Sequence, residues 1–152
     1  MLRRFLEAFN RRETSDDAVN PDRVHIATCV LLLEVAYADE DFTEEERTRI
    51  LDVLKRRFSH SEEQAHELIE TADELRRDSH DMWRFTNQLN QNCSPAEKRE
   101  IIREVWRVVY ADGDLDSHED HLIHRMGTLM NLTHRQLIAE KLAVLEEHQA
   151  NG

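Results

Sequence analysis

Apolar residues recur at three- and four-residue spacing along most of the chain, the signature of helices with one buried face. From Pro21 onward, Val24, Ala27, Thr28, Leu31, Val35 and Ala38 keep one such face, and Val30, Leu32 and Leu33 widen it. A stripe that broad predicts a helix at the centre of the core. Pro21 suits its first turn, where no backbone N–H is needed. The same spacing returns after Ser94-Pro95 in Ile101, Ile102, Val105, Trp106, Val109 and Ala111, with Ser94 as N-cap. Two narrower stripes follow these helices: Ile50, Leu51, Val53, Leu54 and Phe58, then Leu122, Ile123, Met126, Leu129 and Met130. Each ends at a Ser/Thr-x-x-Gln pattern, Ser61 to Gln64 and Thr133 to Gln136, which predicts a capping box opening a further helix. A joining helix is expected over 79–91 with Met82, Trp83, Phe85 and Leu89, and both Trp83 and Trp106 are assigned to the core. The last helix carries Leu137, Ile138, Leu142 and Leu145 and is expected to fray from His148. No segment alternates in the manner of a strand.

The pattern is duplicated. Tyr37-Ala38-Asp39-Glu40-Asp41-Phe42 and Tyr110-Ala111-Asp112-Gly113-Asp114-Leu115 each close one helix and lead into the next, and Glu46 and Glu119 close the two copies. The expected fold is therefore all-α, a compact bundle of about seven to eight helices built from two related three-helix halves. The halves fall at about 21–74 and 94–148 of a domain over 21–150. Before it, residues 1–20 read as a short amphipathic helix and a polar linker. Leu2, Phe5, Leu6 and Phe9 share one face there, flanked by Arg3, Arg4, Arg11 and Arg12. The plain reading docks that helix on the body; the sharper one lays it on an anionic membrane as a peripheral anchor.

Composition narrows the function. The net charge is −12, with 34% of residues charged, so phosphate-rich partners are repelled and nucleic acid is not an expected ligand. Cations and basic protein surfaces are favoured instead. Two cysteines, Cys29 and Cys93, read as free thiols in a reducing compartment. No apolar run approaches a spanning length, and Met1 to Arg12 lack a secretory pattern, so the expected location is the cytoplasm.

The acidic turns hold the candidate chemistry. Part of their charge has a structural use: Thr43 with Glu46, and Asp116 with Glu119, are placed as capping boxes. The rest is in excess of that use. Asp39 and Asp112 stand at helix C-termini, where the partial negative charge of the backbone disfavours a carboxylate. Asp41 and Asp114 follow at once, and six of the eight residues from Asp39 to Glu46 are acidic. A hard divalent cation, calcium or magnesium, would relieve that repulsion. On a helical wheel Glu119 falls near the centre of its apolar stripe and Glu46 nearer the edge, which makes the first copy the more open. The run Asp112, Asp114, Asp116 is not an EF-hand, because its glycine stands second and no glutamate stands twelfth. His118, His121 and His124 are spaced like ligands, but His121 and His124 point away from the stripe and read as solvent-facing. His25 and Cys29 sit on a segment too apolar for a zinc site.

Ala111-Asp112-Gly113-Asp114-Leu115, then Glu119, Ile123 and Leu129-Met130-Asn131-Leu132-Thr133, resemble the TerB-like family, named for bacterial tellurite resistance. The likeness runs over about 22–147, and the first copy differs in carrying Glu40 where the family has glycine. The resemblance implies a bundle of about seven helices and divalent-metal ligands at Asp39, Asp41, Glu46, Asp112, Asp114 and Glu119. It also implies a bacterial cytoplasmic protein with partners in stress response. Three functions compete: a non-enzymatic module whose turns hold a cation or a basic partner, a scaffold whose acids are only caps, and a metal-dependent hydrolase. The hydrolase would require both turns to meet in one cleft and ranks last, because no general base or electrophile stands out.

Overall fold

A computed structural model describes residues 21–38, 43–79, 81–112 and 117–151, apart from the side chains of Asp112 and Asn151. The N-terminal amphipathic segment read from the sequence lies outside those residues. Among them are seven α-helices, one 3-10 turn and no strand. In order these are α1 (Pro21–Tyr37), α2 (Glu44–Phe58), α3 (Glu62–Asp78), α4 (Trp83–Asn92), α5 (Pro95–Val109), η1 (Tyr110–Asp112), α6 (Ser117–Leu129) and α7 (His134–Asn151).

Helix α1 is the axis of the bundle. Its residues from Ile26 to Leu33 are all buried, as are Val35 and Ala36, and it packs against α2, α3, α4, α5 and α6. A helix buried nearly all round needs apolar residues nearly all round, which is the breadth seen in its sequence. Ile50 and Leu54 of α2, Leu68 of α3, Leu89 of α4 and Trp106 of α5 are fully buried around it. Each such side chain contributes about 2 kcal/mol by leaving water. Contacts run in the same order on both sides of α4: α1 on α3 and α5 on α7, with α2 against α5 and α6 against α1.

Helix boundaries follow local chemistry. Capping boxes close at Thr43–Glu46, Ser61–Gln64 and Ser94–Glu97, each with the cap hydroxyl accepting the N3 backbone N–H. Thr133 and Gln136 exchange the same two bonds, at 3.1 and 2.9 Å. Helices α2 and α6 are both followed by a residue in the left-handed region, Ser59 (φ 56) and Asn131 (φ 61). Two boundaries differ from expectation. Helix α4 starts at Trp83, not at Ser79, because the Ser79 N–H bonds back to the Leu75 carbonyl (3.0 Å) and Asp81 Oδ1 accepts the Trp83 N–H (3.0 Å). Helix α7 does not fray at His148 but continues to Asn151, with the His148 ring edge-on to Tyr110 (6.3 Å between centroids). Trp106 is core, fully buried with Nε1 donating to the Leu137 carbonyl (3.2 Å). Trp83 is not: standing at the start of α4, it is 53% exposed.

Candidate functional site

The first acidic turn joins α1 to α2, and the second joins η1 to α6. Of the six predicted ligands, Asp39, Asp41 and Asp114 and the side chain of Asp112 lie outside the described residues. Glu46 and Glu119 are placed, each in the first turn of its helix, at 6% and 5% exposure. The expected difference in openness between the two is therefore absent at these carboxylates. A wheel scores one helix against itself and omits neighbouring chain; Thr43 lies against Glu46, its Oγ1 3.1 Å from Glu46 Oε1. The Glu46 N–H also donates to Thr43 Oγ1 (3.1 Å), while the Thr43 N–H reaches Glu46 Oε1 at 3.4 Å. Their neighbours Glu44, Glu45, Ser117 and His118 are exposed. Both buried groups are hard oxygen donors, the type that suits calcium or magnesium.

The tyrosine before each acidic turn contacts a helix later in the chain. Tyr37 lies under the Arg76 guanidinium of α3 (4.2 Å to the centroid). Tyr110 stacks on Trp106 (6.1 Å) and faces His148 of α7. Burial, with the Asp120 carboxylate second, raises the Tyr110 phenol above its usual pKa. The two turns are also linked through their helices. η1, which leads into the second turn, packs on α2, which the first turn opens.

Other candidates resolve differently. Among the described residues no group of three or more His, Cys, Asp or Glu side chains is arranged to hold a metal ion. His121 is exposed, and His124 Nε2 lies 3.4 Å from Asp120 Oδ1 and stacks on His134 (5.4 Å). His25 pairs with His60, Nδ1 to Nε2 at 2.9 Å, and stacks on Phe58 (3.9 Å). That pairing spans two elements and leaves no local trace in the sequence. Both thiols are free. Burial raises Cys29 far above the ordinary thiol range and pushes Cys93, which is partly exposed, up to about 11.

These features define an all-helical bundle with a duplicated acidic helix-turn-helix. The chain belongs to the TerB family: the family model described as tellurite resistance protein TerB matches residues 25–142. No curated protein and no solved structure matches the chain. Among the described residues no helix is long and apolar enough to cross a membrane.

Proposed function

We propose that this chain is a non-enzymatic TerB-family binding module whose duplicated acidic turns hold a divalent cation, calcium or magnesium. The same carboxylates would meet a protein partner with a basic surface, in keeping with the net charge of −12. One observation carries the reading: Glu46 and Glu119, at the same place in the repeat, are buried carboxylates beside helix starts that are otherwise exposed. Each has two further aspartates in its turn, a set of hard oxygen donors. The packing of η1 on α2 and of α6 on α1 supports a common place for the two turns. A role in tellurite resistance or stress response in a bacterial cytoplasm rests on the family alone. Peripheral membrane contact through Arg3, Arg4, Arg11 and Arg12 rests on the sequence alone.

Calorimetric and thermal-shift titration with calcium, magnesium, manganese and zinc tests the metal. A site filled at 100-fold above its Kd raises stability by about 2.7 kcal/mol, and Asp114→Asn and Asp41→Asn should remove that rise. No heat and an unchanged melting temperature at millimolar metal would end the metal reading. One observation favours a scaffold instead: the closed Thr43–Glu46 capping box gives Glu46 a structural task without a ligand. On that reading the same two aspartate variants keep both their fold and their partners in a pull-down.

A further inference from the structure

Strong negative charge covers this chain, yet one cleft is lined by three arginines. It lies between α1, α3, α4 and α6, encloses about 380 Å³, and places Arg76, Arg77 and Arg125 around Glu34, Phe85 and Leu122. Arg76 is held in place from two sides: Asp73 Oδ1 accepts from its Nε (3.2 Å) and Nη2 (3.1 Å), and Tyr37 lies beneath it. Its Nη1 is left 3.7 Å from Glu34 Oε1, close enough for charge attraction and too long for a hydrogen bond. The Arg77 side chain is 65% exposed, with Nε donating to the Asp73 carbonyl (3.4 Å) and 3.6 Å from Asp73 Oδ2. Arg125 is exposed and has no hydrogen-bond or ion-pair partner among the described residues. Phe85 is buried at 2% exposure and supplies an apolar floor with the half-buried Leu122. The other acid of the lining, Asp81, is engaged by the Trp83 N–H that it caps.

Arg76 and Arg77 have a plain use, since cations in the last turn of α3 complement the helix dipole. That use does not extend to Arg125, which arrives from another helix before its last turn. We propose that this cleft binds a small organic anion, a carboxylate or phosphate monoester carrying a short apolar tail. The head takes the place of the Glu34 carboxylate opposite Arg76 Nη1, with Arg77 and Arg125 closing over it, and the tail lies on Phe85 and Leu122. Two or three guanidiniums converging on one anion give the forked recognition that arginine supplies best. Burial, only partly offset by Arg76, raises the Glu34 pKa, so its charged form is disfavoured in that place. The proposal does not rest on what the acidic turns bind.

Calorimetric titration of the full chain with hexanoate, hexyl phosphate and inorganic phosphate tests the proposal. Hexanoate and hexyl phosphate compared with each other name the head group. Arg125→Gln and Arg77→Gln, both at exposed positions, should each weaken the tighter of the two by about threefold, the scale of one exposed charge pair. Glu34→Gln removes the competing carboxylate and should tighten binding by a similar factor, an effect opposite in sign to general loss of structure. Thermal melts of all three variants confirm that they fold. Absence of heat up to about 10 mM of either hexyl probe, a weakness of about 3 kcal/mol or less in binding, overturns the proposal. So does an unchanged affinity in both arginine variants, or equal affinity for inorganic and hexyl phosphate.

Discussion

The two sequence repeats share most of their apolar positions and the caps Ser61–Gln64 and Thr133–Gln136 but differ in the polar links that tie their helices. In the first half Glu34 of α1 faces Arg76 of α3 (3.7 Å); in the second Arg107 of α5 binds Glu147 of α7 (2.6 Å), so the sign of the link is reversed. Where the second half has Lys98, whose Nζ donates to the Met130 carbonyl (2.9 Å), the sequence repeat places His25, paired with His60. Where the second half has the fully buried Glu104, the first has the fully buried Leu31. Apolar packing tolerates either half's helices in either place. A reversed ion pair does not, because α1 laid against α7 would set Glu34 near Glu147. The differences thus act against mispairing of two similar units, a repulsive element of the kind that specificity requires.

Glu104 gives the largest effect. It accepts from Arg56 Nη2 of α2 (3.0 Å) and from Arg107 on its own helix. Glu104→Ala leaves a void, Arg56 without its carboxylate and Arg107 with Glu147 alone, at a cost of about 3 kcal/mol. Glu104→Leu copies the first half. It fills the volume, and Arg56, with its side chain 59% exposed, returns to water, so the cost should stay below about 1 kcal/mol. Urea unfolding of the two variants measures both. Equal losses would mean that the second half depends on this charge in a way the first half does not.

The shared features were legible in the sequence and the differing ones were not. Ser61–Gln64 and Thr133–Gln136 are local patterns whose bonds form between residues three apart, so the chain announces them. The breadth of the α1 stripe likewise marked the central helix. Trp83 went wrong because an apolar residue at helical spacing was credited with a buried neighbour, while in the fold it stands at the first position of α4 and stays half-exposed. Ser79 looked like an N-cap but closes the helix before it. Polar links such as His25–His60 and Arg76–Glu34 join helices distant in sequence, and spacing holds no trace of them. At the candidate site, the buried state of Glu119 followed from its wheel position; that of Glu46 did not, although its bonds to Thr43 were legible as a capping box.

A smaller effect separates Lys98 from His25. Lys98 is 8% exposed, and its ammonium also reaches Asn90 Oδ1 (3.2 Å), whose amide in turn holds the Leu129 carbonyl (2.8 Å). It thereby closes the C-terminal end of α6. Lys98→Met keeps the aliphatic stem but strands the Met130 carbonyl, for a loss of about 2 kcal/mol. His25→Leu removes the side-chain bond to His60 and should cost about 1 kcal/mol. Chemical denaturation ranks the two, and a reversed order would place the stronger link in the first half.

The reversed ion pairs should respond to pH with opposite signs. Burial raises Glu34 from its ordinary 4.5 despite Arg76, so the folded chain holds that proton where the unfolded chain has released it. The contribution of Glu34 is therefore most favourable below pH 4.5 and declines as pH rises through its raised folded value. Glu147 is the reverse. The Arg107 hydrogen bond lowers it from 4.5, so its contribution is present above that value and is lost as pH falls through the lowered one. Glu34→Gln should then gain on the native chain as the solution is made less acidic, and Glu147→Gln should lose. The Glu147 side chain is 41% exposed, so its effect is a few tenths of a kcal/mol and shrinks with salt. Unfolding midpoints of both variants from about pH 4 to about pH 8 read the two slopes. Slopes of the same sign would show that the two links, reversed in charge, are equivalent in energy after all.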